Sequence, residues 1–112
     1  MKSNLTNTQL IEFDPTGLTA NYQAFGSEIS HEAIKVQFIN TSDVDIYVSD
    51  QLRNNWRIPS GGTISVDEPS YQVPNKDAQI QLPRNTQLYV KQVTGAASEG
   101  NLWAHILTRN NS

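Results

Sequence analysis

Apolar and polar residues alternate with a period of two along much of the chain, a pattern that predicts β-strands with one buried face. The clearest run is 34–38, in which Lys35 and Gln37 separate three apolar side chains. Residues 10–13 and 19–25 show a weaker form of the pattern. The remaining predicted strands are 44–48, 56–58, 63–66, 78–82, 87–93 and 102–108.

Turn residues separate these stretches at intervals of about 8 to 12 residues, which is typical of a β-sandwich or small barrel. Residues 40–43 lie between two alternating runs, and their short polar side chains bond their own backbone, so we predict a hairpin there. Pro59 and the glycines after it predict a second sharp turn. The predicted fold is all-β: a single-domain β-sandwich of about eight short strands, either jelly-roll or immunoglobulin-like. Strand order depends on long-range pairing, so the pattern leaves these two topologies open.

The length of 112 residues corresponds to one domain with one modest core. We place that core in residues 29–108. Residues 1–28 are predicted to form an N-terminal arm with weak strands, because their share of the core looks small and such arms order on binding. Residues 109–112 form a polar tail.

The composition narrows the class of partner. Eight Lys and Arg against eleven Asp and Glu give a net charge of −3, which argues against a nucleic-acid binder. Asn, Gln, Ser and Thr make 39 of the 112 residues, a surface suited to contact with other proteins. No apolar run approaches the roughly 20 residues of a membrane helix. The first residues lack a secretory h-region, and the absence of cysteine excludes disulfides and thiolate metal sites.

No motif for catalysis or cofactor binding emerges from the sequence. The two histidines, His31 and His105, have no serine in a nucleophile elbow to act with. Asp43 and Asp45 are followed by apolar residues where a calcium loop needs further oxygen ligands, so solvated turn acids are expected. The glycine pair after Ser60 lacks a P-loop lysine. We therefore expect no enzyme activity, no cofactor and no metal site.

Aromatic residues are the best candidates for binding. Tyr47 and Tyr89 fall opposite their apolar neighbours, so we expect both to be exposed. Exposed tyrosines stack on sugars, anchor protein interfaces or pair across strands of a solvated sheet. A carbohydrate-binding module would use these two tyrosines with Trp56 on one sheet face. The candidate interface residues are Phe13, Tyr22, Phe25, Tyr47, Trp56 and Tyr89.

Three segments of the sequence carry a resemblance to a known family. They are VQFINTSDVDIYVS at 36–49, IPSGGT at 58–63 and LPRNTQLYVK at 82–91. Together with the apolar terminal strand, these segments resemble small virion proteins of tailed bacteriophages, among them the capsid cement or decoration proteins of short-tailed phages. The similarity extends over residues 34–108.

The resemblance implies a β-sandwich or jelly-roll protein built into the phage particle, without catalytic residues. Decoration proteins of this kind typically sit as dimers that clamp neighbouring capsid subunits. The expected function is thus a capsid decoration protein that bridges and stabilises major capsid subunits, as a homodimer on the capsid surface of the virion, made in the host cytoplasm. Its partner is the major capsid protein, with no direct contact to nucleic acid or membrane. The alternatives are a head–tail junction or tail protein, and a carbohydrate-binding module.

Overall fold

The computed structural model describes residues 6–50, 55–67 and 82–109, and nearly all regular structure in these ranges is β. A single 3-10 turn lies at Pro15–Gly17. The predicted all-β, single-domain fold is confirmed. The strands are β1 (Thr6–Phe13), β2 (Gln23–Ala24), β3 (Ala33–Asn40), β4 (Ile46–Ser49), β5 (Asn55–Ile58), β6 (Thr63–Asp67), β7 (Tyr89–Gln92) and β8 (Leu102–Arg109).

The eight described strands form two four-stranded antiparallel sheets, in the orders β1-β8-β3-β6 and β2-β7-β4-β5. The pairs β1:β8, β2:β7, β3:β6 and β4:β5 are those of one long antiparallel hairpin. Folding that hairpin over on itself adds the pairs β3:β8 and β4:β7. This is the strand order of a jelly roll, so the structure decides between the two predicted topologies.

The core lies between the two sheets and is built by alternate residues of each strand. Ile46 and Val48 of β4 and Val90 of β7 are fully buried on the inner side of one sheet. The other sheet contributes Val36, Phe38, Ala104 and Ile106, all fully buried as well. Burial of each Val, Ile or Phe side chain among them contributes about 1.5–3 kcal/mol, so this alternation fixes which residues face outward.

Strand β3 departs from strict alternation where it begins. Its register with β8 shifts between Ala33 and Lys35, and Ala33 is buried while Ile34 is half-buried. The sequence pattern placed Ile34 in the core, but a bulge inserts one extra residue and gives that inward position to Ala33.

Much of the predicted N-terminal arm is part of the sandwich. Strand β1 pairs with β8 along its whole length, and Ile11 and Phe25 are buried in the core. The amide of Gln9 also donates to the carbonyl of Glu28 at 3.0 Å. Alternation was weak here because the chain between β1 and β2 is irregular. No structural boundary therefore separates residues 6–28 from the rest of the fold.

Two further sequence predictions concern the edges of the described ranges. The predicted strand 78–82 lies outside the described residues except for Leu82, which is buried. The predicted polar tail begins within β8, since that strand includes Arg109.

Strands β3 and β4 belong to different sheets, so the predicted hairpin between them is wrong. The chain instead crosses from one sheet to the other after Asn40, whose side chain is almost fully buried. Its Nδ2 lies 2.8 Å from the carbonyl oxygen of Val44, 3.1 Å from that of Pro59 and 3.2 Å from that of Ile58. Its Oδ1 accepts from the backbone N–H of Ser42 at 2.9 Å.

The Asn40 side chain thereby joins two crossings between the sheets. Val44 lies on the crossing from β3 to β4, and Pro59 lies on the crossing from β5 to β6. The backbone N–H of Asn40 donates to the carbonyl of Gly62 at 2.9 Å, which adds a second link between the same segments. The predicted bonding of turn side chains to their own backbone is confirmed by the Asn40–Ser42 contact, but it supports a crossing between sheets.

The connection between β7 and β8 packs against the crossing from β3 to β4. The carboxylate of Asp43 accepts from the backbone N–H of Ser98 at 3.0 Å and from its hydroxyl. Gly100 has a φ of +100°, and a Cβ there would lie 2.5 Å from Cα of Ser42, so no other residue fits without displacement. We call this end of the sandwich the Asn40 corner; it comprises residues 40–45, 59–62 and 98–101.

Two carboxylates of the Asn40 corner have lowered pKa values. The hydroxyl and backbone N–H of Ser98 hold the pKa of Asp43 below its ordinary value of 3.8. The backbone N–H of Ser60, and then the guanidinium of Arg57, lower the pKa of Asp45. Both groups were expected to be solvated turn acids; Asp43 is exposed and Asp45 is half-buried, and each also holds a neighbouring segment in place.

Replacement of Asn40 by alanine is expected to lower the free energy of unfolding by about 3 kcal/mol, because it deletes several buried hydrogen bonds worth about 1 kcal/mol each. Denaturant unfolding followed by circular dichroism measures this. Asn21→Ala, at an exposed position, is the matched control and should change stability by less than about 0.5 kcal/mol. A loss below about 1 kcal/mol for Asn40→Ala would show that the amide does not hold the corner.

The lowered pKa values predict a loss of stability in acid. A carboxylate with a folded-state pKa below its unfolded value stabilises the fold above pH 3.8, and that contribution disappears as the pH falls through the folded-state pKa. In Asp43→Asn and in Ser98→Ala, the free energy of unfolding should therefore decrease less steeply as the pH falls below 3.8. Since both variants weaken the hydrogen bond between the Ser98 hydroxyl and the Asp43 carboxylate, combining them should add little, and strictly additive effects would contradict this pairing.

Candidate functional site

The outer surface of the sheet β2-β7-β4-β5 carries three tyrosines and two cations. Tyr47 on β4 lies between Arg57 on β5 and Lys91 on β7 in the strand register. Tyr89 lies two residues before Lys91 on the same side of β7, opposite the buried Val90. We call this surface the tyrosine face; it comprises Tyr22, Tyr47, Asn55, Arg57, Tyr89 and Lys91.

Lys91 sits between two aromatic rings of the tyrosine face. Its Nζ lies 5.0 Å from the ring centroid of Tyr22 and 5.8 Å from that of Tyr47, within the range of cation–π attraction. The hydroxyl of Tyr22 donates to Oδ1 of Asn55 at 3.0 Å. Tyr22 precedes edge strand β2 and Asn55 begins edge strand β5, so this hydrogen bond spans the sheet and fixes the Tyr22 ring across it.

Arg57 connects the tyrosine face to the Asn40 corner. Its Nη2 and Nε lie 2.9 and 3.0 Å from Oδ2 of Asp45, while Oδ1 of that carboxylate accepts from the backbone N–H of Ser60 at 2.8 Å. The bond to Asp45 raises the pKa of the Arg57 guanidinium. The charge of Arg57 is thus paired with Asp45, whereas the charge of Lys91 lies against the rings of Tyr22 and Tyr47.

The structure brings together three of the six predicted interface residues. Tyr22, Tyr47 and Tyr89 are all half-buried on the tyrosine face. The predicted exposure of Tyr47 and Tyr89 is therefore partial, because each ring lies against a sheet surface with neighbours on both sides. Their shared outward direction follows from the alternation that the sequence shows.

The other three predicted interface residues pack into or against the core. Phe25 is fully buried, and Phe13 packs edge-on against it with ring centroids 6.3 Å apart. Trp56 pairs with the inward-facing Val48, and its ring centroid lies 5.1 Å from that of Phe38. Aromatic rings in a small sandwich fill the space between the sheets, so these residues stabilise the fold.

The position of Trp56 corrects one functional expectation. A carbohydrate-binding face was expected to combine Tyr47, Tyr89 and Trp56. Trp56 lies on the inner side of its sheet, whereas the two tyrosines lie on the outer side. That set of three rings does not form one surface.

A second candidate surface, on the outer side of the sheet β1-β8-β3-β6, was missing from the predicted interface. Leu10 is 58% exposed, the one exposed large apolar side chain among the described residues. Ile39, Trp103 and Leu107 are half-buried on the same side of the sheet. We call this surface the Trp103 face; it comprises Thr8, Leu10, Glu12, Lys35, Gln37, Ile39, Trp103, His105 and Leu107.

The signal for the Trp103 face is present in the sequence. Alternation within the predicted strand 102–108 places His105 opposite Ala104 and Ile106, and His105 is exposed in the structure. The same alternation places Trp103 and Leu107 beside it. A shallow concavity of about 220 Å³ lies on this face, lined by Thr8, Lys35, Gln37, His105 and Leu107.

Among residues 6–50, 55–67 and 82–109, no group of three or more His, Asp or Glu side chains is placed to hold a metal ion. Within the same residues there is no helix with the length and apolar character needed to cross a membrane. Comparisons with protein-family models, curated proteins and solved structures find no match. Among the described residues, the candidate binding side chains therefore lie on the two outer sheet faces.

Proposed function

We propose that the protein is a non-enzymatic structural protein that binds other protein subunits through the tyrosine face, and that it acts as a capsid decoration protein on the surface of a virion. The observation that carries the proposal is the placement of Tyr22 and Tyr47 around Lys91, with Tyr89 on the same side of one four-stranded sheet. In this proposal the partner is the major capsid protein.

The chemistry of the tyrosine face suits a protein partner. Tyrosine buries a large ring with few rotatable bonds and is enriched in the central parts of protein interfaces. The contact of Tyr22 with Asn55 and the two rings around Lys91 hold these side chains in place before binding. Less side-chain entropy is lost on association when the binding residues are already ordered.

The part of the proposal that places the protein on a capsid is supported by the resemblance to small virion proteins. Several residues that carry this resemblance, including Asn40, Ser42, Asp43 and Asp45, lie at the Asn40 corner and position the crossings between the sheets. The resemblance thus includes residues that specify the fold of this chain. It supports the class of particle in the proposal, and the tyrosine face supports the choice of binding surface.

The proposed mechanism needs no reaction. A modest interface that is repeated over a closed shell gains strength through multivalency, because each bound copy holds its neighbours at high effective concentration. Bridging adjacent capsid subunits in this way stabilises the shell against the outward pressure of packaged DNA. The alternative position, at the head–tail junction or in the tail, would use the same face in a smaller ring.

Alanine at Tyr22 or Tyr47 is expected to weaken binding to capsids that lack the protein by about tenfold or more, the loss typical of a hot-spot residue. Sedimentation of capsids with increasing amounts of protein, followed by gel densitometry, measures both affinity and copy number. Glu99→Gln, at an exposed position on the β7–β8 connection, is the control and should bind as wild type does.

Three outcomes of this experiment would change the proposal, the third when glycans are added as competitors. Undiminished binding of both tyrosine variants would show that the tyrosine face is not the contact. A copy number far below that of the major capsid protein would favour the tail position. A glycan with micromolar affinity that competes with capsids would favour a carbohydrate-binding module.

A further inference from the structure

The tyrosine face carries an excess of positive charge, although the chain as a whole has a net charge of −3. Its two cations are Arg57 and Lys91. The nearby Asp45 carboxylate uses both of its oxygens: Oδ2 lies 2.9 Å from Nη2 of Arg57, and Oδ1 accepts from the backbone N–H of Ser60 at 2.8 Å. Lys91 forms no ion pair with any described residue, so its charge is the one that this surface leaves without an opposite charge.

Two tyrosine rings position the ammonium group of Lys91 without neutralising it. Its Nζ lies 5.0 Å from the ring centroid of Tyr22 and 5.8 Å from that of Tyr47. The face of an aromatic ring attracts a cation, but it does not accept a hydrogen bond as a carboxylate does. Lys91 is half-buried, and within the described part of the chain its three N–H donors meet no oxygen or nitrogen acceptor. The ammonium is thus held in place and remains available to a ligand.

Asn55 presents a second donor on the same surface. The hydroxyl of Tyr22 donates to its Oδ1 at 3.0 Å, which leaves Nδ2 as the free end of an exposed amide. In the strand register Lys91 pairs with Tyr47, while Asn55 pairs with Ser49, two residues further along β4. At about 4.8 Å between strands and about 3.3 Å per residue, the two donor residues are roughly 12 Å apart.

We infer that the tyrosine face binds an acidic segment of its protein partner, with a carboxylate of that segment on the ammonium of Lys91. The inference rests on the proposed function, in which this face contacts another protein, and it adds the chemistry of the segment that is bound. An ionised carboxylate only accepts hydrogen bonds, so it complements both Lys91 and the amide of Asn55. A basic segment would bring like charges together, because the carboxylate of Asp45 is already engaged.

The surroundings of Lys91 distinguish it from a lysine on an open surface. The rings on two sides reduce its contact with water, and a hydrogen bond between charged groups is stronger where water is partly excluded. The ring contacts also restrict the side chain before binding, so less entropy is lost when a carboxylate arrives. Lys35, on the opposite outer face, is exposed and has Leu107 and Asp67 as its neighbours in register, so it offers a matched comparison.

The spacing of the two donors indicates the form of the segment. In an extended chain, residues four apart point to the same side and lie about 13 Å apart. That distance is close to the separation of Lys91 and Asn55. A run of glutamates contains this spacing in several registers, so a short glutamate peptide is a suitable probe.

The inference is tested by titrating hexaglutamate into the full chain at low ionic strength, followed by NMR of tyrosine rings labelled with ¹³C. The ring signals of Tyr22 and Tyr47 should shift, with a Kd below about 1 mM. Lys91→Gln should weaken this binding about fivefold or more, because it removes the charge that the carboxylate meets. Salt at about 0.5 M should also weaken it, since the contact lies at the surface.

Two matched controls accompany the titration. Lys35→Gln makes the same change in charge on the opposite outer face, and it should leave the Kd within about twofold of wild type. Hexaglutamine has the same length without the carboxylates and should not shift the tyrosine signals. Circular dichroism confirms that each variant is folded.

The outcomes separate this inference from the proposed function. Tyr22 and Tyr47 signals that do not shift with hexaglutamate, or equal binding to wild type and Lys91→Gln, overturn the inference. Capsid binding that the tyrosine variants weaken, but that Lys91→Gln and added salt leave unchanged, also overturns it and retains the proposed function. Hexaglutamate binding that depends on Lys91, in a chain that does not sediment with capsids, supports the acidic ligand and overturns the capsid as partner.

Discussion

The fold depends on one buried side chain that makes hydrogen bonds to two segments of chain as they leave one sheet and enter the other. At such crossings the regular ladder of a sheet ends, and buried backbone groups need other partners. Nδ2 of Asn40 lies within 3.2 Å of carbonyl oxygens on both crossings, and its Oδ1 accepts from the backbone of Ser42. Aspartate lacks the donor and leucine lacks both functions, so an amide of this length is specifically required.

The crossings at the Asn40 corner determine what each face of the protein presents. Because β3 and β4 belong to different sheets, the outward residues of β3 contribute to the Trp103 face and those of β4 contribute to the tyrosine face. The inward positions of Ile46 and Val48 leave Tyr47 no direction but outward. Surface chemistry is thus a consequence of core packing: the residues available for binding are those the alternation excludes from the space between the sheets.

The sequence pattern predicted the strands and the direction of many side chains, because alternation is a local property. It placed Tyr47 and His105 outward correctly. It misassigned the connection after Asn40, since the Asn40–Ser42 contact is the same in a hairpin turn and in a crossing. The contacts that distinguish the two, from Asn40 to Ile58 and Pro59, join residues far apart in sequence. Trp56 was misplaced although local alternation bears on it: Trp56 and Ile58 flank Arg57 and share one face, and the burial of Ile58 and the pairing of Trp56 with Val48 show that this face is the inner one.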